Sequence, residues 1–99
     1  MSDLISVIMP VRNVNNYIKN AILSILQQTY KNFELIIIEG DSTDGTKDSL
    51  KLIKEKRIKT YTQDNKSFVA KLNFGITKAK GIWIARMDGD DLSHPERLE

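Results

Sequence analysis

Asp88, Asp90 and Asp91 place three carboxylates within four residues, separated from the apolar segment Ile82-Trp83-Ile84-Ala85 only by Arg86 and Met87. Carboxylates this close repel one another unless a cation sits among them, and oxygen ligands at the mouth of a buried strand suit a hard divalent ion. Mg2+ or Mn2+ held this way keeps positions for water and phosphate oxygens, so these residues point to a metal-assisted nucleotide site. The same stretch also reads as a solvated acidic turn, with Gly89 and the aspartates as ordinary turn formers. The rest of the chain has to decide between the two.

The elements that would position these acids can be read from hydrophobic periodicity. Leu4-Ile5-Ser6-Val7-Ile8-Met9 is short and mostly β-branched or apolar, which predicts a buried strand stopped by Pro10. Tyr17, Ile18, Ala21, Ile22, Ile25 and Leu26 recur at spacings of three and four, predicting an amphipathic helix with Asn15 or Asn16 as its cap. Phe33 to Ile38 ends in four consecutive apolar residues, as expected of a strand covered on both faces. A polar loop from Glu39 to Thr46 then opens a weaker second helix, with Leu50, Leu52 and Ile53 on its apolar side. Ile58-Lys59-Thr60-Tyr61-Thr62 alternates and reads as a third strand nearer an edge. Phe68, Leu72, Ile76 and Ala79 predict a third helix ended by Gly81, and Ile82 to Met87 a fourth strand with Trp83 in the core. Strand and helix alternate throughout. The expected class is α/β, a three-layer αβα arrangement with a mainly parallel sheet of about four strands, three helices and the start of a fourth.

In an open parallel sheet, ligands bind beyond the carboxyl ends of the strands, where strand order reverses. Those ends carry Arg12 and Asn13, then Glu39, Asp41 and Asp44, then Asp64, Asn65 and Lys66, then Asp88, Asp90 and Asp91. Glu39 can accept hydrogen bonds from a base or ribose, or simply terminate its strand. Arg12 can stack on a nucleobase, pair with phosphate, or neutralise the neighbouring acids. Asp41 and Asp44 suit turn and cap roles as well as ligand contact. Lys71 can meet phosphate or an acid. His94 reads as a surface residue of a capping turn, with a metal nitrogen as the alternative.

Fifteen basic against thirteen acidic residues leave a net charge of +2, interspersed along the chain, so a nucleic-acid partner is not expected. The absence of cysteine excludes a disulfide framework and thiolate metal sites. The amino terminus lacks the pattern of a secretory leader, and no stretch approaches the roughly 20 apolar residues of a membrane span. The expected location is the cytoplasm, including the inner face of the membrane. Ser93-His94-Pro95-Glu96 reads as a capping box opening a helix that the chain, ending at Glu99, does not complete. Residues 1–99 are therefore expected to form a single truncated domain, whose uncovered apolar surface favours self-association.

Five segments, in order, resemble the amino-terminal half of a family 2 glycosyltransferase of the GT-A fold. They are Ser6-Val7-Ile8-Met9-Pro10-Val11-Arg12-Asn13, Ser24 to Tyr30, Glu34 to Ile38 with Asp41-Ser42-Thr43-Asp44-Gly45-Thr46, Leu72-Asn73-Phe74-Gly75-Ile76, and Ala85-Arg86-Met87-Asp88-Gly89-Asp90-Asp91. The resemblance implies a Rossmann-like half-domain that binds a nucleotide-diphospho-sugar donor and serves a sugar or lipid-linked acceptor in polysaccharide or glycoconjugate synthesis. It implies that Pro10, Val11, Arg12, Asn13, Glu39, Asp41, Lys71, Asp88 and Gly89 bind the nucleotide-sugar, the loop after the first strand and the acid ending the second holding base and ribose, and that Arg86 and Lys71 assist. Asp88 and Asp90 would match the D-x-D motif, Asp90 as the direct ligand of Mg2+ or Mn2+ and Asp88 nearer the ribose or a metal-bound water. The family's acceptor side and catalytic base lie in a carboxy-terminal half, so no catalytic residue is expected in these 99 residues, nor appreciable turnover by them alone. Arg12 stands where the family commonly has Tyr, Glu39-Gly40-Asp41 where it has Asp-Asp-Gly, and Ser67 where it has Gly, which leaves the base of the donor open. The competing readings are a metal-dependent nucleotidyltransferase and a non-catalytic nucleotide-binding or interaction module; the lack of a glycine-rich phosphate loop argues against ordinary dinucleotide and ATP folds.

Overall fold

Ile5–Val11 and Phe33–Glu39 are buried along their whole lengths, the environment that continuous apolar strands require. The structure, a computed structural model, describes residues 3–28 and 30–87. Along the chain it contains β1 (Ile5–Val11), α1 (Ile18–Leu26), β2 (Phe33–Glu39), α2 (Thr46–Lys51), β3 (Ile58–Thr62), α3 (Phe68–Lys78) and β4 (Trp83–Arg86). The sheet runs β3-β2-β1-β4 and every described pairing is parallel. Asp88, Gly89, Asp90, Asp91 and the predicted helix start at Ser93 lie outside the described residues.

The period-2 alternation of the strands divides the core between two faces. Val7, Met9, Leu35 and Ile37 pack with Ile18, Ala21, Ile22 and Ile25 of α1 and Leu50 of α2. Ile8, Ile36 and Ile38 point the other way and meet Leu72 and Phe74 of α3. Helices thus cover both faces, as expected for three αβα layers.

Several local expectations fail for identifiable reasons. Pro10 lies inside β1 instead of stopping it. Even-numbered residues of β1 turn their backbone groups towards β4, as the Ile82 N–H to Leu4 and Met87 N–H to Ile8 carbonyl bonds show. Among the described residues the last β1–β4 pair is Ile8 with Arg86, so the missing N–H of Pro10 falls beyond the described ladder.

The inward face of α3 is not the one its apolar spacing suggests. Phe68 and Ile76 are 50% and 40% exposed, while Lys71 and Gly75 are buried. A Cβ on Gly75 would lie 2.5 Å from Ile8 Cγ2 and 2.6 Å from Ile38 Cδ1, so the helix seats its glycine directly on the sheet. This turns Phe68 and Ile76 of the predicted stripe outward, while Leu72 and Ala79 still pack against the core. The helix starts at Ser67, whose Oγ accepts the Ala70 N–H, and ends with Ala79 in extended backbone. Gly81 is no helix cap; its N–H donates to Ser6 Oγ.

Two further helix expectations also fail. Tyr17, not Asn15 or Asn16, caps α1, and without a side-chain bond. Leu52 caps the carboxyl end of α2 and is 80% exposed.

Trp83 is 62% exposed on β4, an edge strand whose other side is bare among the described residues, so it is not core. At the amino ends of the strands, Glu34 forms a buried knot. Its carboxylate accepts hydrogen bonds from Ser6 Oγ at 2.6 Å, the Lys80 N–H at 2.7 Å and Lys59 Nζ at 3.4 Å. Burial pushes the Glu34 pKa up, but these donors outweigh it and hold the group below the usual carboxylate value. The knot ties β1, β2, β3 and the α3–β4 connection together away from the polar loops. Among the described residues no helix is long and apolar enough to cross a membrane.

Candidate functional site

Strand order turns β1 into the pivot of the sheet: β2 and β3 continue on one side of it and β4 lies on the other. The crevice of such a sheet opens at the carboxyl ends of β1 and β4, because the connections on either side leave towards opposite faces. Arg12 and Asn13 leave β1 there. Met87, buried and bonded through its N–H to Ile8 O at 3.0 Å, brings the chain to the same edge immediately before Asp88.

The loops after β1, β2 and β3 are cross-linked by side chains. Asn13 accepts the Thr43 N–H on its Oδ1 at 2.7 Å, and its own N–H donates to Ser42 Oγ at 3.0 Å. The Val14 N–H donates to Thr46 Oγ1 and the Asn15 N–H to Asp44 Oδ2, each at 3.0 Å. Asp44 also accepts from the N–H and hydroxyl of Thr46 at the start of α2. The Thr46 hydroxyl above all holds the Asp44 pKa below the usual carboxylate value; burial opposes it, and the Asn15 and Thr46 N–H groups add to the lowering. Asp41 accepts the Asn65 N–H on both carboxylate oxygens, and its own N–H donates to Asp64 Oδ1.

Asn13, Asp41 and Asn65 adopt φ values of 52°, 60° and 59°. Left-handed backbone at a non-glycine residue is tolerated best by Asn and Asp, whose short polar side chains bond locally. Each of the three loops spends one such residue on the clasp. The polar, turn-rich composition signals loops; their mutual bonding is a long-range fact that no local pattern carries.

Beneath the clasp lie two buried charged residues. Glu39 is 2% exposed; its Oε2 accepts the Ser42 N–H at 3.2 Å, while Oε1 has no hydrogen-bond partner among the described residues. Glu39 also borders a cavity of about 140 Å³ together with Lys47, Lys51, Thr60 and Thr62. Lys71 reaches up from α3, with Nζ 3.3 Å from Val11 O and 3.1 Å from Gly40 O. Burial holds its pKa below the usual lysine value, opposed by the charges of Asp41, Glu39 and Asp64 and reinforced by that of Arg12.

The structure therefore gathers Pro10, Val11, Arg12, Asn13, Glu39, Asp41 and Lys71 at one edge, with Arg12 and Asn13 exposed and Glu39 and Lys71 enclosed. Lys71 Nζ is buried and donates to two carbonyls, which leaves one of its three N–H donors for a phosphate or an acid. Asp88, Gly89 and Asp90 belong to the predicted set but lie outside the described residues. Among the described residues no group of three or more His, Cys, Asp or Glu side chains could hold a metal ion.

Helices on both faces of a parallel sheet, with cross-linked polar loops at the reversal of strand order, define a doubly wound α/β domain, a class whose ligands bind at the carboxyl edge. The model of the family described as Glycosyl transferase family 2 matches residues 6–99, and the chain belongs to that family.

The O-antigen biosynthesis glycosyltransferase WbnJ of Escherichia coli is 48% identical over 101 residues, covering 98% of this chain and 39% of WbnJ. Among solved structures, S. aureus TarS 1–349 superposes with a TM-score of 0.86 at 25% identity, over 95% of this chain and 29% of that one. The mannosyltransferase PcManGT from Pyrobaculum calidifontis, in complex with GDP-Man and Mn2+, shares the fold with a TM-score of 0.83 at 23% identity, over 94% of this chain and 29% of its own. The chain thus spans well under half the length of the relatives it matches.

Proposed function

We propose that this chain is the donor-binding part of a glycosyltransferase that moves a sugar from a nucleotide-diphospho-sugar to a sugar or lipid-linked acceptor in the synthesis of polysaccharide or glycoconjugate. The observation that carries the reading is the adjacency of β1 and β4. It brings Arg12 and Asn13 to the edge from which the Asp88-Gly89-Asp90 sequence departs. Membership of the family, the O-antigen role in the name of WbnJ, and the GDP-Man and Mn2+ held by PcManGT support it.

In this reading Pro10, Val11, Arg12, Asn13, Glu39 and Asp41 line the base and ribose end of the donor. Asp90, with Asp88, holds Mg2+ or Mn2+ at the diphosphate. When bound, the cation supplies Lewis-acid stabilisation of the charge that develops on the departing nucleoside diphosphate. The chain's own part is to hold the donor still, with its loops fixed before the ligand arrives. Work at the cytoplasmic face of a membrane would suit a lipid-linked acceptor.

Calorimetric titration with UDP, GDP and dTDP, each with and without Mn2+, tests the proposal. At least one diphosphate is expected to bind ten or more times tighter with the metal, and Asp90→Ala to abolish that gain. Binding indifferent to both Mn2+ and Asp90 would speak for a non-catalytic module instead.

A further inference from the structure

Lys71 is 1% exposed, and among the described residues no carboxylate stands at ion-pair distance from it. Removing an ammonium group from water costs several kcal/mol unless it is well compensated, and such groups are weak contributors to stability even when paired. Here the compensation is the backbone itself. Nζ donates to the carbonyls of Val11 and Gly40, the points at which β1 and β2 stop pairing and their loops separate. The Phe68 ring closes over the charge, its centroid 5.1 Å from Nζ.

The two carbonyls belong to the peptide groups that lead into Arg12 and Asp41. Their separation therefore sets where both loops begin. We infer that Lys71 is a positioning residue of the donor site: its buried ammonium group ties the carboxyl ends of β1 and β2 together and fixes the spacing of the loops that begin at Arg12 and Asp41. The inference rests on the donor-site reading and adds a residue that acts through backbone rather than by touching phosphate.

Lys71→Met keeps the length of the side chain and removes every donor. The charge that is lost was costly to bury, so the fold is expected to survive while the tie disappears. In nuclear magnetic resonance spectra of the variant, the amide signals of Arg12 and Asp41, each adjacent to a released carbonyl, are expected to move more than those at the Glu34 knot. Affinity for the diphosphate that binds the wild type best with Mn2+ is expected to fall at least tenfold. If Lys71→Met does not fold, Lys71→Gln, neutral but still a donor, is held to the same two criteria with a smaller loss of affinity.

A variant that folds and binds within twofold of the wild type overturns the inference and leaves the donor-site reading standing. Unmoved Arg12 and Asp41 signals overturn it as well. A wild-type chain that binds none of the diphosphates removes the donor-site reading, and this inference with it.

Discussion

Gly40→Ala is expected to lower the stability of the fold by about 3 kcal/mol and to disturb the candidate site at the same time. A Cβ at this position would fall 2.0 Å from the carbonyl oxygen of Gln63 and 2.8 Å from its carbonyl carbon. Those are backbone atoms and cannot rotate aside. Gln63 is held in place, since its N–H donates to Glu39 O at 2.8 Å, so the added methyl forces apart the ends of β2 and β3. The same methyl would lie 2.9 Å from Lys71 Cε and push the side chain away from the carbonyl it binds. For a domain of this size, about 3 kcal/mol corresponds to a fall of roughly 12 to 24 °C in the unfolding midpoint. Thermal unfolding followed by circular dichroism measures it; a change of less than about 0.5 kcal/mol would show that the two loops do not approach as described.

Gly75→Val is expected to have an effect of similar size by a different route, lifting α3 off the sheet. The contacts at stake are with Ile8 and Ile38, the centre of the smaller core face. Overpacking a close helix–sheet contact costs roughly 1–3 kcal/mol and more where the neighbour is branched at Cβ, as Ile8 is, so about 3 kcal/mol is expected. Gly75→Ala makes a sharp control. On helix propensity alone it would stabilise by about 1 kcal/mol. The close approach predicts instead that this gain is erased or reversed, and denaturant titration of both variants separates the two outcomes.

How much of this is legible in the sequence depends on whether the information is local. The strands at Ile5 and Phe33 declare themselves because strands covered on both faces must be apolar almost throughout. Strand–helix alternation then leads to parallel pairing and to one edge rich in polar loops, the edge where the structure places Arg12, Asn13, Glu39, Asp41 and Lys71. The face of α3 escapes such a reading because its two fully buried residues are a lysine and a glycine, types that apolar periodicity cannot register. Pro10 misleads because whether its missing N–H matters depends on where β4 stops. Trp83 misleads because a large apolar residue is taken for core, whereas β4 is an edge strand with one bare side among the described residues. Asn15 looks like a helix cap, yet its N–H serves Asp44 and its Oδ1 accepts the Ser49 hydroxyl at 2.5 Å.

The Glu34 knot and the three-loop clasp share one lesson. Both are made of ordinary surface-type residues whose partners lie 23 to 46 positions away in sequence, so nothing in their own neighbourhood announces them. The knot stiffens the end of the sheet remote from the candidate site and the clasp stiffens the end that carries it. The clasp also fixes the left-handed backbone at Asn13, Asp41 and Asn65, which Asn and Asp adopt readily and whose side chains or N–H groups join the network.

Where the metal binds decides most directly whether a donor site occupies the carboxyl edge of β1 and β4. Mn2+ is paramagnetic and broadens the magnetic resonance signals of nearby nuclei, so adding it in substoichiometric amounts with UDP or GDP maps its position on the ¹⁵N-labelled chain. The amide signals of Arg12, Asn13, Asp41 and Met87 are expected to fade first, those of Glu34 and Lys80 to persist, and the pattern to vanish in Asp90→Ala. Broadening centred on the far edge, or spread over exposed acids such as Asp3 and Asp48 and unchanged in Asp90→Ala, would contradict a metal-dependent donor site here.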